Sequence, residues 1–152
     1  MTDVEIVPAS QQDKHVLRNL MPLYLHDFSE FNDGDVDEQG RFEYPWLDAY
    51  WTDTDRHPFL FRAGDHWAGF ALIRTGDPND VAEFFVLRKY RRHGVGQAAA
   101  RALFARFPGR WQVRQMAANA RATAFWRAAI PVPFTESDLP MGPVQYFSIA
   151  AE

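Results

Sequence analysis

The chain has 152 residues, 47% of them hydrophobic and 15% aromatic, with 20 acidic against 16 basic residues and a net charge of −4. That length and apolar content suit one folded domain, residues 1–152, with a sizeable core. The absence of cysteine removes disulfides, thiolate catalysis and cysteine metal sites, and with no apolar run long enough for a membrane span and no basic-then-apolar leader a cytoplasmic protein is expected.

Residues 4–7 read as a short strand. Ser10-Gln11-Gln12-Asp13 has the form of a capping box with Asp in the last place. Val16, Leu17, Leu20, Tyr24 and Phe28 then follow helical spacing, and Pro22 is expected to kink or split that helix. Residues 29–43 are polar, carry Gly34 and Gly40, and read as a loop. Pro45 suits the first turn of a short helix over 45–51, where Tyr44, Trp46, Tyr50 and Trp51 supply core or a ligand wall. Residues 59–63 and 67–74 read as strands joined at Gly64-Asp65, a hairpin.

A loop over 76–80 leads into an apolar strand over 81–87, whose one ionisable residue is Glu83. A helix follows over 95–107, stopped by Pro108-Gly109. Residues 111–116 read as a strand, and Asn119 as the N-cap of a helix reaching Ala129. Residues 134–136 and 143–150 form the last hairpin. The five histidines show no metal-ligand spacing, so no metal is expected.

Between the strand over 81–87 and its following helix lies Arg88-Lys89-Tyr90-Arg91-Arg92-His93-Gly94-Val95-Gly96-Gln97. The first N–H groups of a helix have no intrahelical partner, and the helix dipole adds positive character there. Glycines admit a ligand close to the backbone, so strand, basic turn and glycines together point to a phosphate-bearing ligand. The dinucleotide fingerprint fits poorly: six residues separate strand from glycine, and no acid occurs between Glu83 and Glu136. A Walker loop lacks its Gly-Lys-Ser/Thr.

Arg91-Arg92-His93-Gly94-Val95-Gly96 resembles the R-x-x-G-x-G acyl-CoA signature of the GCN5-related N-acetyltransferase (GNAT) superfamily. Asn119-x-x-Ala122-x-x-Phe125-Trp126, one strand later, looks like the same family's N-x-x-A-x-x-F-Y segment. The resemblance covers nearly the whole chain. It implies an α/β (α+β) fold with one mixed, largely antiparallel central sheet flanked by helices, in the order β-α-α-β-β-β-α-β-α-β-β. It also implies acetyl-CoA as acyl-donor cosubstrate. The backbone of Arg91, Arg92, His93, Gly94, Val95, Gly96 and Gln97 would grip the pyrophosphate. Phe85, Val86 and Leu87 would pair with the pantetheine amides through their main chain. Asn119 would contact the pantetheine arm, and Phe125 and Trp126 would lie near the thioester.

The resemblance further implies Glu83 as general base for an amine acceptor, since burial would raise its pKa toward neutrality. Trp126 stands where the family often has a Tyr that protonates the leaving thiolate; Tyr146, and less directly Tyr90, are substitutes by residue type. Ala129-Ile130 replaces the family's common Gly-Phe, which alters the helix end beside the acceptor pocket. The expected activity is an acetyl-CoA-dependent N-acetyltransferase acting on a small or peptidic amine. The alternative is a non-catalytic acyl-CoA-binding sensor.

Charge is unevenly spread. Residues 27–55 hold ten acids and one Arg; residues 88–127 hold ten basic residues and no acid. The basic half suits a polyanionic cosubstrate, and the acidic half a cationic acceptor gathered by Asp27, Glu30, Glu43 and Asp48. Nucleic acid is not expected as a partner, because the acidic segment would repel it. Homodimer formation is left open.

Overall fold

The computed structural model describes residues 3–152. Strand β1 (Val4–Pro8) leads through a 3-10 turn (Gln11–Asp13) into α1 (Lys14–Asn32). A second 3-10 turn (Leu47–Trp51) precedes β2 (Arg56–Ala63), β3 (His66–Arg74) and β4 (Asn79–Val86). After a third 3-10 turn (Arg88–Tyr90) come α2 (Val95–Arg106), β5 (Gly109–Arg114), α3 (Ala120–Ala129), β6 (Thr135–Leu139) and β7 (Gly142–Ile149). The strands form one seven-stranded sheet in the order β1-β2-β3-β4-β5-β7-β6. Every neighbouring pair is antiparallel except β4 and β5. The expected mixed, largely antiparallel sheet is present. Among the described residues no helix is long and apolar enough to cross a membrane.

Alternation along the strands sorts side chains into two cores. On one face, α2 and α3 bury Val95, Leu103, Phe104 and Trp126 against Phe61, Ile73, Trp111 and Phe147. On the other, α1 and the Leu47–Trp51 turn bury Leu17, Met21, Leu47 and Tyr50 against Leu60, Phe70, Leu72 and Phe85.

Two local expectations are revised. Pro22 does not divide α1, which runs unbroken for 19 residues. Proline removes one backbone donor, but Pro22 faces solvent while Leu17 and Met21 are buried on the opposite side, and that packing carries the helix across it. The helix also extends to Asn32, into the stretch expected as loop. It stops where Asp33 turns left-handed at φ 58° and donates its N–H to the Ser29 carbonyl. The capping box forms in its Asp half: the Asp13 carboxylate accepts from the Ser10 N–H at 3.1 Å. The short helix expected over 45–51 is the Leu47–Trp51 3-10 turn.

The placement of Trp126 near a thioester is corrected. Its side chain is only 6% exposed and lies in the core, with its ring 4.9 Å from Phe84, 4.9 Å from Phe125 and 6.2 Å from Phe104. Phe125, half-buried, is the more exposed of the two. Trp126→Ala should therefore act on stability, lowering the free energy of unfolding by about 3–5 kcal/mol, read from chemical denaturation.

Candidate active site

Strands β4 and β5 pair in parallel at two positions only, Asn79 with Trp111 and Asp80 with Gln112. Beyond Asp80 they part, and β4 continues beside β3 alone to Val86. The far edge of β4 thus faces a split in the sheet. The Leu87 N–H is donated to the Ala68 carbonyl on β3 at 2.8 Å. Antiparallel alternation then turns the N–H and C=O of Phe84 and Val86 toward the split. Of the three residues expected to offer main chain there, only Val86 does so; Phe85 and the Leu87 N–H are committed to β3, and the Leu87 carbonyl accepts from the Tyr90 N–H at 2.9 Å. The Val86 carbonyl already accepts from Arg91 Nε at 2.8 Å, while its N–H faces the split.

Glu83 stands on this stretch of β4, three residues past the last β4–β5 pair, with its side chain on the α1 face. Both carboxylate oxygens are held. Tyr24 of α1 donates its hydroxyl to Oε1 at 2.6 Å, and Tyr44 donates to Oε2 at 2.8 Å. Burial raises the Glu83 pKa above its ordinary value; the two phenols oppose that shift without cancelling it. Burial, reinforced by the Glu83 charge, pushes both phenols well above the ordinary tyrosine value, so they remain donors at neutral pH. An ionised carboxylate has about four lone-pair sites; two are filled by the phenols, and the others can accept a proton from a substrate. Helical spacing marks Tyr24 only as a residue of the α1 face, and Tyr44 reads as one aromatic among four. Only the fold brings both to Glu83.

The basic turn caps the open end of β4. Asp27 of α1 bridges two of its arginines, with Oδ1 on Arg88 and Oδ2 on Arg91, each at 2.7 Å. Burial would raise the Asp27 carboxyl, but the guanidiniums outweigh it and hold the group below its ordinary 3.8. Arg92, in the left-handed region at φ 66°, and His93 are exposed. Gly94 is left-handed at φ 79°, forms the N-cap of α2, and would carry a Cβ into open space. Val95 is fully buried and belongs to the core beneath the turn. Gly96 is a glycine for packing: a Cβ there would sit 2.9 Å from the Phe125 ring. The Gln97 amide, with its oxygen turned toward Arg101, accepts from that guanidinium at 2.6 Å. The Asn119 carbonyl oxygen caps α3 by accepting from the Ala122 N–H at 3.1 Å, which leaves its amide NH₂ free to donate elsewhere.

Three expected roles do not match these positions. Tyr146 pairs with Gln112, which pairs with Asp80, so it lies level with the closed end of the split, and β5 separates its strand from β4. It is not placed to protonate a thiolate at the open end. Asp27 belongs to the basic turn rather than to a free acidic field. Asp48 is paired with Lys14 at 2.8 Å, at the opposite end of α1. Glu30 and Glu43 are exposed.

The sequence model of the acetyltransferase (GNAT) family matches residues 17–129. No curated protein sequence matches the chain. Among solved structures, an acetyltransferase from Thermus thermophilus is 17% identical, with 94% of each chain covered and a TM-score of 0.70. The ribosomal-protein-S18-alanine N-acetyltransferase of Escherichia coli is 16% identical, covers 99% of this chain and 96% of its own, and has a TM-score of 0.62. A spermidine N-acetyltransferase from Vibrio cholerae, in complex with CoA and spermine, is 10% identical, covers 94% and 92%, and has a TM-score of 0.63. At these identities the likeness is one of fold.

Because the folded Asp27 pKa lies below its ordinary value, its ion pairs stabilise the fold above about pH 3.8 and lose that contribution as pH falls through the lowered value. Asp27→Asn should therefore reduce stability at pH 7 by about 1 kcal/mol, the order expected of ion pairs that keep part of their contact with solvent. The gap to the parent protein, followed by thermal melts from neutral pH downward, should close once the pH has fallen through that lowered value.

Proposed function

The chain belongs to the acetyltransferase (GNAT) family, and from that premise we propose that it transfers the acetyl group of acetyl-CoA to a primary amine by direct attack, with Glu83 as general base. The observation that carries this reading is the half-buried Glu83 carboxylate, held by two phenols beside the split between β4 and β5. Acetyl-CoA is the family's donor, and it supplies an acyl carbon activated as a thioester. The residues present suit it. The α2 N-terminus, opened by Gly94 and flanked by Lys89, Arg92 and His93, offers backbone donors and positive charge to a pyrophosphate. The Val86 N–H faces the split, where a thioester oxygen developing negative charge would accept from it.

An acceptor amine is protonated in solution and must lose a proton before it can attack. Glu83, with its pKa raised by burial, is better matched to take that proton near neutrality than an ordinary carboxylate. No enzyme-bound acyl group is needed, because the amine itself is the nucleophile. The leaving thiolate needs no dedicated acid, since a free thiol has a pKa of about 8.5; the core position of Trp126 and the remote one of Tyr146 accord with that.

A small or peptidic amine is the favoured acceptor. The Escherichia coli relative is named for a ribosomal-protein alanine and the Vibrio cholerae relative for spermidine. Steering of a cationic acceptor falls to Glu30 and Glu43, because Asp27 and Asp48 are already ion-paired. The direct test is release of free CoA from acetyl-CoA across polyamines, amino acids, aminoglycosides and N-terminal peptides. Binding of acetyl-CoA without turnover on any amine would make the protein a sensor instead.

Glu83→Gln should lower kcat by roughly 10²–10⁴-fold, leave CoA affinity unchanged by calorimetry, and remove the acidic limb of the pH–rate profile. Gly94→Val should weaken CoA binding, because its side chain would enter the open space before α2 and its backbone would bear a left-handed strain of about 1–2 kcal/mol. Gly96→Val tests something else, the Phe125 packing, and is the poorer probe of the pyrophosphate site.

A further inference from the structure

We infer that Tyr24 and Tyr44 are positioning residues for Glu83: a phenol from α1 and a phenol from the segment before the Leu47–Trp51 turn grip the two oxygens of one carboxylate and direct its remaining lone pairs. The inference rests on the reading of Glu83 as base. The bonds, 2.6 and 2.8 Å, lie in or near the range of hydroxyls donating to an ionised oxygen.

Neither phenol is a loose surface group. The Tyr24 ring packs 5.6 Å from Phe28, 5.6 Å edge-on to Phe70 and 5.8 Å from Phe85. The Tyr44 ring meets Trp46 edge-on at 5.5 Å. Aromatic packing thus sets each ring, each ring sets a hydroxyl, and the two hydroxyls set the carboxylate. A glutamate side chain with several rotatable bonds is thereby held in one place, which is what a base must be to meet an amine in reactive contact.

The same contacts govern protonation. The other groups acting on Glu83 and its phenols are Tyr50 from the 3-10 turn, Asp80 on β4, Arg114 on β5, and Arg56 and Arg74 through Tyr50. Asp80 and Arg114 act in opposite senses and are bonded to each other at 2.8 Å. The two phenols are therefore the chief force opposing burial. Without them the buried carboxyl keeps its proton to higher pH, and a protonated base accepts nothing from an amine.

The test is to replace Tyr24→Phe and Tyr44→Phe singly, which keeps both rings and removes one hydroxyl each time. The Glu83 carboxyl is titrated by carbon NMR, its signal assigned by its loss in Glu83→Gln, and the pH dependence of kcat/KM is recorded alongside. Each replacement should raise the Glu83 midpoint by roughly one to two pH units, with the acidic limb of the rate profile moving by the same amount. An unmoved Glu83 midpoint in the folded variants overturns the inference. A midpoint that moves while the rate limb stays put upholds the clamp and removes Glu83 from the role of base. Should Tyr24→Phe fail to fold, Tyr44→Phe, which lies outside the helices, decides the matter by the same NMR readout.

Discussion

The arrangement of this protein depends on a parallel strand pair that gives out after two residue pairs. A β4–β5 ladder of full length would satisfy the outward backbone groups of β4 and close the sheet. Where it parts, those groups lack strand partners, and buried backbone polar groups need partners of some kind. The chain meets part of that need itself, through Arg91 on the Val86 carbonyl. The Val86 N–H and the backbone groups of Phe84 face the split without a strand partner. The parting is backed by packing: Phe84, whose backbone faces the split, rests on the rings of Phe125 and Trp126 beneath it. The α3 aromatics thus support Phe84 from the core side.

Electrostatics follow from how the elements meet. In sequence the acids and bases form two blocks, which suggests two separate fields. In the fold, α1 crosses beside the basic turn, and Asp27 is drawn into it by Arg88 and Arg91. Arg91 in turn holds the Val86 carbonyl. One chain of contacts therefore joins the α1 face, the loop before α2 and the edge of β4. The arginines that hold this chain are partly neutralised, whereas Lys89, Arg92 and His93 remain exposed beside the α2 N-terminus.

A second chain of contacts braces the other end of the sheet. Arg127 of α3 grips Glu136 of β6 in a two-pronged pair at 2.9 and 2.6 Å, and Glu136 accepts from Gln145 at 2.8 Å. Gln145 exchanges amide bonds with Gln115 at 2.6 and 2.9 Å, both side chains being buried. Full pairing makes such amides tolerable in a core. The contacts tie α3, β6, β7 and the end of β5 together. The flank of the split opposite β4 is therefore anchored rather than left to drift.

Much of the fold was legible because it rests on local rules: short apolar runs bounded by turn signals marked β2, β3 and β4, glycine and proline marked the turns, and Asn119 marked the start of α3. The glycine loop and the Asn119 segment were legible for the same reason, since a helix N-terminus and its cap are made by neighbours in sequence. What sequence reading missed are relations between distant residues. It took Pro22 as a break, because the packing of Leu17 and Met21 that overrides it is tertiary. It placed Trp126 at the site and Asp27 in a free acidic field, because which face a helix buries depends on what lies across from it. The pairing of Tyr24 and Tyr44 with Glu83 spans 59 and 39 residues, and no spacing rule reaches that far. The sequence alone determined the family, the sheet and the glycine turn that opens α2, whose signals are short-range backbone and cap chemistry. Only the tertiary structure decided which carboxylate is buried, what holds it, and which charges are already spent on one another, because burial and pairing come from elements meeting in space.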